Sequence, residues 1–451
     1  MERRLISGEL VDLGGKGIRG ELIRELLVKG DSLDPRGLRI KNATIEGQLD
    51  LCDVAAKRPL TLRDCQAEEP VLLDRAQLSA LILNGLTAPA VRAPWLRVEH
   101  YLLLQNAQLG EAERAVDLTE ANIGSHLNLS GTHLDGEPAL YAPKLRTGSQ
   151  VFLNDLRAQG TILLDWARIG GNLHFAGAEL RSDGQAALHA VDMQVDETVF
   201  LHNGFSATGP DYAVRIRGSR IGGQLVLRRA RATGRVALDI KQVRLGQELF
   251  FPMEFADGPV ELDGLTYIGL PRDATLDEWL DLLANRTYFF ANQPYLQLAA
   301  THQAAGHERD VRRIRIAQQR DLIRRGQLTR RSRLWHRITG LTVGYGYRPS
   351  AALGWLAATL AVAILMITAI AGPAGLTRNA GTSCSVVEQI GLALNAATPL
   401  IKPDSQQRCQ LVTSTGLGQG VLLVTWILQG LAWAFATLFV AGFTGLVRKS
   451  P

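Results

Sequence analysis

The 451-residue chain has few of the residues that carry thiol and metal chemistry: four cysteines, four methionines and nine histidines. Neither cysteine pair, Cys52/Cys65 or Cys384/Cys409, has CxxC spacing, so no zinc pattern is present and no metal site is predicted. G-x-S-x-G and H-E-x-x-H are both missing, which removes the sequence signatures of a serine-hydrolase elbow and of a zincin; no catalytic residue is predicted. The repeated units of the first 260 residues lack apolar stripes at i, i+3, i+4, which argues against a helical repeat. Met1 to Glu9 lack the apolar run of a signal peptide, so the N-terminal region is expected to stay on the side of the membrane where it is made.

What the first 260 residues do have is a repeat. A small turn-forming pair precedes an alternating apolar triplet in Ile45 to Leu51, Ile123 to Leu129, Ile169 to Phe175, Ile221 to Leu227 and Leu245 to Phe251. Weaker copies start at Ala67, Val98, Thr147 and Val195, in steps of 22 to 26 residues apart from one of 31 between Ala67 and Val98. Alternation is strand spacing, with one face turned inward and the other toward water. Strands this short bury too little alone, so the units must stack and share a core. The predicted fold is mainly β: a right-handed parallel β-solenoid of about nine coils over 37–270. His126, His174, His189 and His202 fall at different offsets within their units, so no shared column of histidines is expected.

Charge divides the chain. Arginine and lysine outnumber aspartate and glutamate 49 to 44, yet Ala351 to Gly372 and Gly416 to Val447 carry no charge at all. Against the ~20 residues needed to span a bilayer, these read as two transmembrane helices, 351–372 and 416–447, joined by an external loop, 373–415. Eleven arginines lie between Arg309 and Arg337, and Arg448 and Lys449 follow the second span; the positive-inside rule places both flanks in the cytoplasm. Among them Arg324, Arg325, Arg330, Arg331, Arg333 and Arg337 are expected to meet anionic lipid headgroups rather than nucleic acid. In the loop, Cys384 and Cys409 are a disulfide candidate, whereas Cys52 and Cys65 read as buried thiols. Ser385 to Glu388 is a capping box opening a short apolar helix to about Ala397. Thr437, Ala441 and Gly445 recur every fourth residue, the small-residue spacing that packs helices, within one chain or between copies.

The remaining segments read as caps and stalk. Residues 1–36, with an amphipathic Gly17 to Val28, would cover one end of the solenoid, and an Arg-rich helical segment, 271–340, would cover the other and lead to the membrane domain, 341–451. Thr342 to Gly346 spells a potassium-filter string, but it precedes both spans, so it is read as an interfacial turn with Tyr345 and Tyr347. Gly15-Lys16-Gly17-Ile18-Arg19-Gly20 matches G-x-G-x-x-G but lacks the acid that closes the next strand of a dinucleotide fold.

Leu173 to Leu180 has the texture of degenerate pentapeptide-repeat and related right-handed β-helix proteins. The whole chain resembles a bacterial family called membrane-associated oxidoreductase, through Ile18 to Arg24, the repeat units, Gly344-Tyr345-Gly346-Tyr347-Arg348-Pro349, and Ala441 to Val447. The resemblance implies a bacterial inner-membrane protein and, through its name, a flavin or nicotinamide, for which Gly15, Gly17 and Gly20 would be the binding loop. The residues themselves predict no cofactor. The sequence as a whole is read as a membrane-anchored cytoplasmic scaffold or interaction module, its partner an unknown cytoplasmic protein, with homo-oligomers a further expectation. An oxidoreductase and an oligomeric two-span pore are the alternatives.

Overall fold

The computed structural model describes residues 2–29, 33–110, 113–343, 349–371, 376–377, 384–397, 410–411 and 416–443. The chain forms two compact units, Met1–Ile314 and Arg315–Pro451.

The first unit is a parallel β-solenoid of about ten turns, built from two 11-stranded and two 9-stranded sheets. Each coil contributes one short strand to each sheet in turn, as in Leu60–Arg63, Gln66–Ala67, Val71–Leu72 and Gln77–Leu78. We number the sheets one to four in that order. Strands of two to four residues hold because each pairs with the coil before and the coil after, so the backbone bonds missing within a coil are made between coils. Alternation within each strand sends one residue inward. Leu60, Leu81, Leu102 and Leu127 therefore stack in register on the inner face of sheet one, each 2% exposed or less. Burying a side chain of this size contributes about 1.5–3 kcal/mol. Phe175 and Phe205 fill wider layers, their rings meeting edge to face at 5.9 Å.

The corners explain the turn residues. Residues with positive φ recur once per coil after sheet one (Asp64, Gly85, Asn106, Gly131, Asp155, Gly177) and after sheet three (Asp53, Arg75, Trp95, Glu120, Lys144, Trp166). Asn, Asp and Gly tolerate this left-handed conformation, and Gly177 and Gly131 supply it without a Cβ. Neighbouring corners also pair, Arg75 with Asp53 at 2.6 and 2.8 Å and Lys144 with Glu120 at 2.9 Å.

The repeat changes register at one step. The strand starting the Ile45 unit lies in sheet two, pairing with Ile18 and Ala67, whereas Val98 lies in sheet four, between Leu78 and Ile123. The step of 31 residues is thus a half-coil slip of register and not a stretched coil. Its cause is that each coil consists of two similar halves of about ten residues: Val71 to Ala80, Leu81 to Ala90, Val91 to His100 and Tyr101 to Gly110 alternate between sheets three and one.

Strand pairing begins before residue 37. Val11–Asp12 and Gly17–Arg19 are the first strands of sheets one and two, so Gly17 belongs to a strand and the cap helix is only Gly20–Val28. That helix buries Ile23, Leu26 and Leu27, and Arg24 donates to the Asp50 carbonyl at 2.6 Å. At the far end lie helices Leu276–Asn285 and Asn292–Ala304, followed in the chain by helix Glu308–Arg325. Thr275 and Glu278 form a reciprocal capping box on the first, whose Trp279 packs on Phe251 at 5.6 Å and extends the core. Arg286 donates to the carbonyls of Met253 and Ala256, and Gln297 to that of Tyr267, closing the edge of the last coil.

In the second unit, helix Pro349–Met366 continues into a π-helical turn, Ile367–Ala371, and packs along helix Gly416–Phe443. Ser350–Ile370 and Gln419–Ala441 are long and apolar enough to cross a membrane. Only 22% and 28% of their apolar windows are buried, and Leu353, Val362, Leu365, Trp426, Ile427 and Trp433 face outward, unlike the side chains of a soluble core helix. The helices meet through Trp355 stacked on Phe435 at 6.1 Å and through buried Ala363 and Leu428; Ala352 and Ala432 are also buried. The expected capping box is present: Ser385 Oγ and Glu388 exchange bonds at the head of helix Val386–Ala397, which packs on both long helices around Ala393.

Candidate functional site

The structure places the sequence-selected residues in separate regions. Gly15 is a turn residue at φ +82°, Gly17 pairs with Thr44, and Gly20 lies so close to the backbone of Gln48 and Leu49 that a side chain would clash. The G-x-G-x-x-G glycines are therefore accounted for by a coil corner, a strand and a tight helix contact. A strand, Gly17–Arg19, separates the loop from the helix N-terminus that would receive a pyrophosphate.

The arginines divide. Arg324 and Arg325 both pair with Asp321, a carboxylate only 3% exposed, at 3.1 and 2.5 Å. Arg330, Arg331 and Arg337 are exposed on helix Arg330–Val343, and Arg333 is half-buried. Cys384 is disulfide-bonded while Cys52 and Cys65 are free; Cys409 lies outside the described residues. Cys65 is buried as expected, but Cys52 is half-buried, and loss of hydration followed by the nearby Asp50 pushes its thiol up to about 11. Thr437 is exposed and donates to the Trp433 carbonyl, off the face that packs in the chain; Ala441 is half-buried, and Gly445, Tyr345 and Tyr347 lie outside the described residues.

Two outward rows were not anticipated. On sheet one, Phe152, His174 and Phe200 occupy paired positions in successive strands. Their rings stack at 5.0 and 4.9 Å, nearly parallel, because the ring spacing is set by the ~4.8 Å between strands. Tyr101 and His126 extend the row at one end, and His202 packs edge-on to Phe200 at the other. Further along, Arg228 lies 4.4 Å over the Phe250 ring. His126 and His174 thus join one row although their backbone offsets differ: His126 precedes its strand, and its ring bridges to Phe152. His189 lies apart, on sheet three. Burial lowers the His174 pKa, helped by His202 and opposed by Glu197, so the ring favours its neutral form.

On sheet three, His189, Arg215, Asp239 and Glu261 follow one another in register. His189 faces Asp165 at 3.7 Å, Arg215 faces Asp239 at 3.5 Å, and Lys241 meets Glu261 at 2.5 Å. Asp239 is fully buried, and the lost hydration raises its pKa against the pull of Lys241 and Arg215. This row ends at a cavity of about 160 Å³ bounded by Lys241, Glu261, Asp263, Tyr288, Phe289 and Tyr295. It is smaller than the ~300–1,000 Å³ usual for small-molecule sites.

Fold and surface together define a repeat protein: a β-solenoid with continuous outward rows of side chains, carried on a chain with two helices able to cross a membrane. Compared with protein-family models, curated proteins and solved structures, the chain matches none of them.

Proposed function

We propose that the protein is a membrane-anchored scaffold whose solenoid holds a cytoplasmic protein at the bacterial inner membrane, with the aromatic row of sheet one as its docking face. The observation that carries this reading is the row itself: contiguous, half-buried rings across successive coils, Tyr101 to Phe200, on a rigid surface. Aromatic side chains bring large contact area at low entropic cost, which is why they dominate protein interfaces. Anchoring rests on Ser350–Ile370 and Gln419–Ala441, with Arg330, Arg331 and Arg337 facing anionic headgroups and both termini cytoplasmic. The small residues Thr437, Ala441 and Gly445 would pair copies of the chain in the bilayer. An oxidoreductase reading leans on Gly15, Gly17 and Gly20, each of which already has a role in the first coils; the scaffold reading needs no cofactor.

The test is photocrosslinking in cells. A photoreactive residue replacing Phe152 or Phe200 should give a discrete crosslinked species, and one replacing Lys144, at a corner on another side, should not. Equal labelling from both positions, or none from either, would remove the docking face.

A further inference from the structure

The turn between helices Asn292–Ala304 and Glu308–Arg325 gathers two imidazoles and a carboxylate. Gly306, at φ +78°, lets the chain reverse, and the His307 amide donates to the His302 carbonyl while the Asp310 amide donates to that of His307. The potential ligand atoms of His302, His307 and Asp310 consequently lie within 4.8 Å of one another. His302 is only 8% exposed, and its Nδ1 is buried without a hydrogen-bond partner. A buried imidazole nitrogen left this way is destabilising, so its retention calls for a partner. Asp310 Oδ2 stands 3.7 Å from that nitrogen, too far for a hydrogen bond. Two ligands on a tetrahedral zinc would be about 3.4 Å apart for bonds of 2.0–2.2 Å, so the His302–Asp310 pair needs only a small closure.

The surroundings fit the same reading. Arg313 pairs with Asp310 through the other oxygen, Oδ1, and is itself held by Asp277, an outer contact that fixes the carboxylate without occupying Oδ2. His307 is exposed, leaving a fourth position open to water.

We propose that His302, His307 and Asp310 bind one divalent transition-metal ion, zinc being the best match to a two-imidazole, one-carboxylate set. The ion would pin the hairpin that covers the last coil. The set has neither paired-cysteine spacing nor the H-E-x-x-H pattern.

The experiment uses untagged full-length protein in detergent, stripped with chelator and dialysed against buffered zinc. About one zinc per chain should be retained, and cobalt in its place should give visible d–d bands. His307→Ala and Asp310→Asn should each weaken binding by at least about tenfold. His302 is buried and its loss could unfold the hairpin, so the exposed His307 variant, with unchanged circular dichroism, carries the test. His336→Ala, outside the cluster, should leave binding unchanged. Protein that retains no zinc, or zinc held equally by wild type, His307→Ala and Asp310→Asn, overturns the proposal.

Discussion

Gln293 bonds to the last coil as a further strand would: its amide nitrogen donates to the Leu265 carbonyl at 2.7 Å while its amide oxygen accepts from the neighbouring Gly264 N–H at 2.9 Å. A solenoid ends in an exposed edge of unpaired backbone groups, and such an edge recruits other chains. Gln293→Leu keeps the bulk and removes both bonds, and should cost about 1–3 kcal/mol. Hydrogen exchange should report it as faster exchange at the Gly264 amide, with the coils around Leu129 unaffected. Unchanged exchange at Gly264 would show that the edge is protected by other means.

The stacked row gives a pH dependence. The folded-state pKa of His174 lies below the ordinary 6.5, so the unfolded chain binds its proton more readily. The stability it contributes is complete above 6.5 and declines as pH falls below that value. His189 and His302 shift in the same direction through burial. Asp239, raised from 3.8, acts with the opposite sign. The histidine effect is read between pH 7.5 and about 5.5, an interval around the ordinary histidine value of 6.5. The melting temperature of the full-length protein should drop across that interval. His174→Phe, which extends the Phe152 and Phe200 stack, should make the drop shallower; an identical slope would show that His174 is not among the groups responsible.

Corner residues separate two costs. Gly177 has φ +69° and faces Asp155 of the preceding coil, so Gly177→Val combines left-handed strain with a clash and should destabilise by about 2 kcal/mol or more. Trp166 sits at φ +56° with half its surface exposed, and Trp166→Gly should relieve part of the ~1–2 kcal/mol strain, changing stability by less than about 1 kcal/mol. Denaturant midpoints of the two variants should move by clearly different amounts.

Thiol counting tests the second unit. Unfolded, unreduced protein should titrate two thiols, Cys52 and Cys65, and reduction should release two more from a Cys384–Cys409 bond. In the folded state Cys52, its pKa pushed up to about 11, should alkylate slowly at neutral pH. Four thiols without reduction would remove the bond.

The fold was legible because its signal is local and repeated. Alternation in units such as Leu173 to Phe175 fixes which side chains turn inward, and the turn pairs fix where the chain bends. The apolar helices and the Ser385 capping box were legible for the same reason. Register was not, because sheets two and four carry nearly the same pattern and only long-range pairing tells Ile45 from Val98. Surface rows were missed where different offsets converge: His126 reaches Phe152 by ring geometry, not by backbone position. The His302, His307, Asp310 cluster depends on a chain reversal at Gly306 that residue spacing alone does not specify.

The two-halved coil makes the fold respond to length changes like a screw with two starts. Adding some twenty residues would shift everything downstream by one strand spacing and leave each row in line. Adding ten would turn the downstream part by half a revolution, bringing the charged row of His189 and Arg215 under the aromatic row of Tyr101 and His126. The same apolar pattern would still be buried, so such an insertion would fold yet present a different side to whatever it meets.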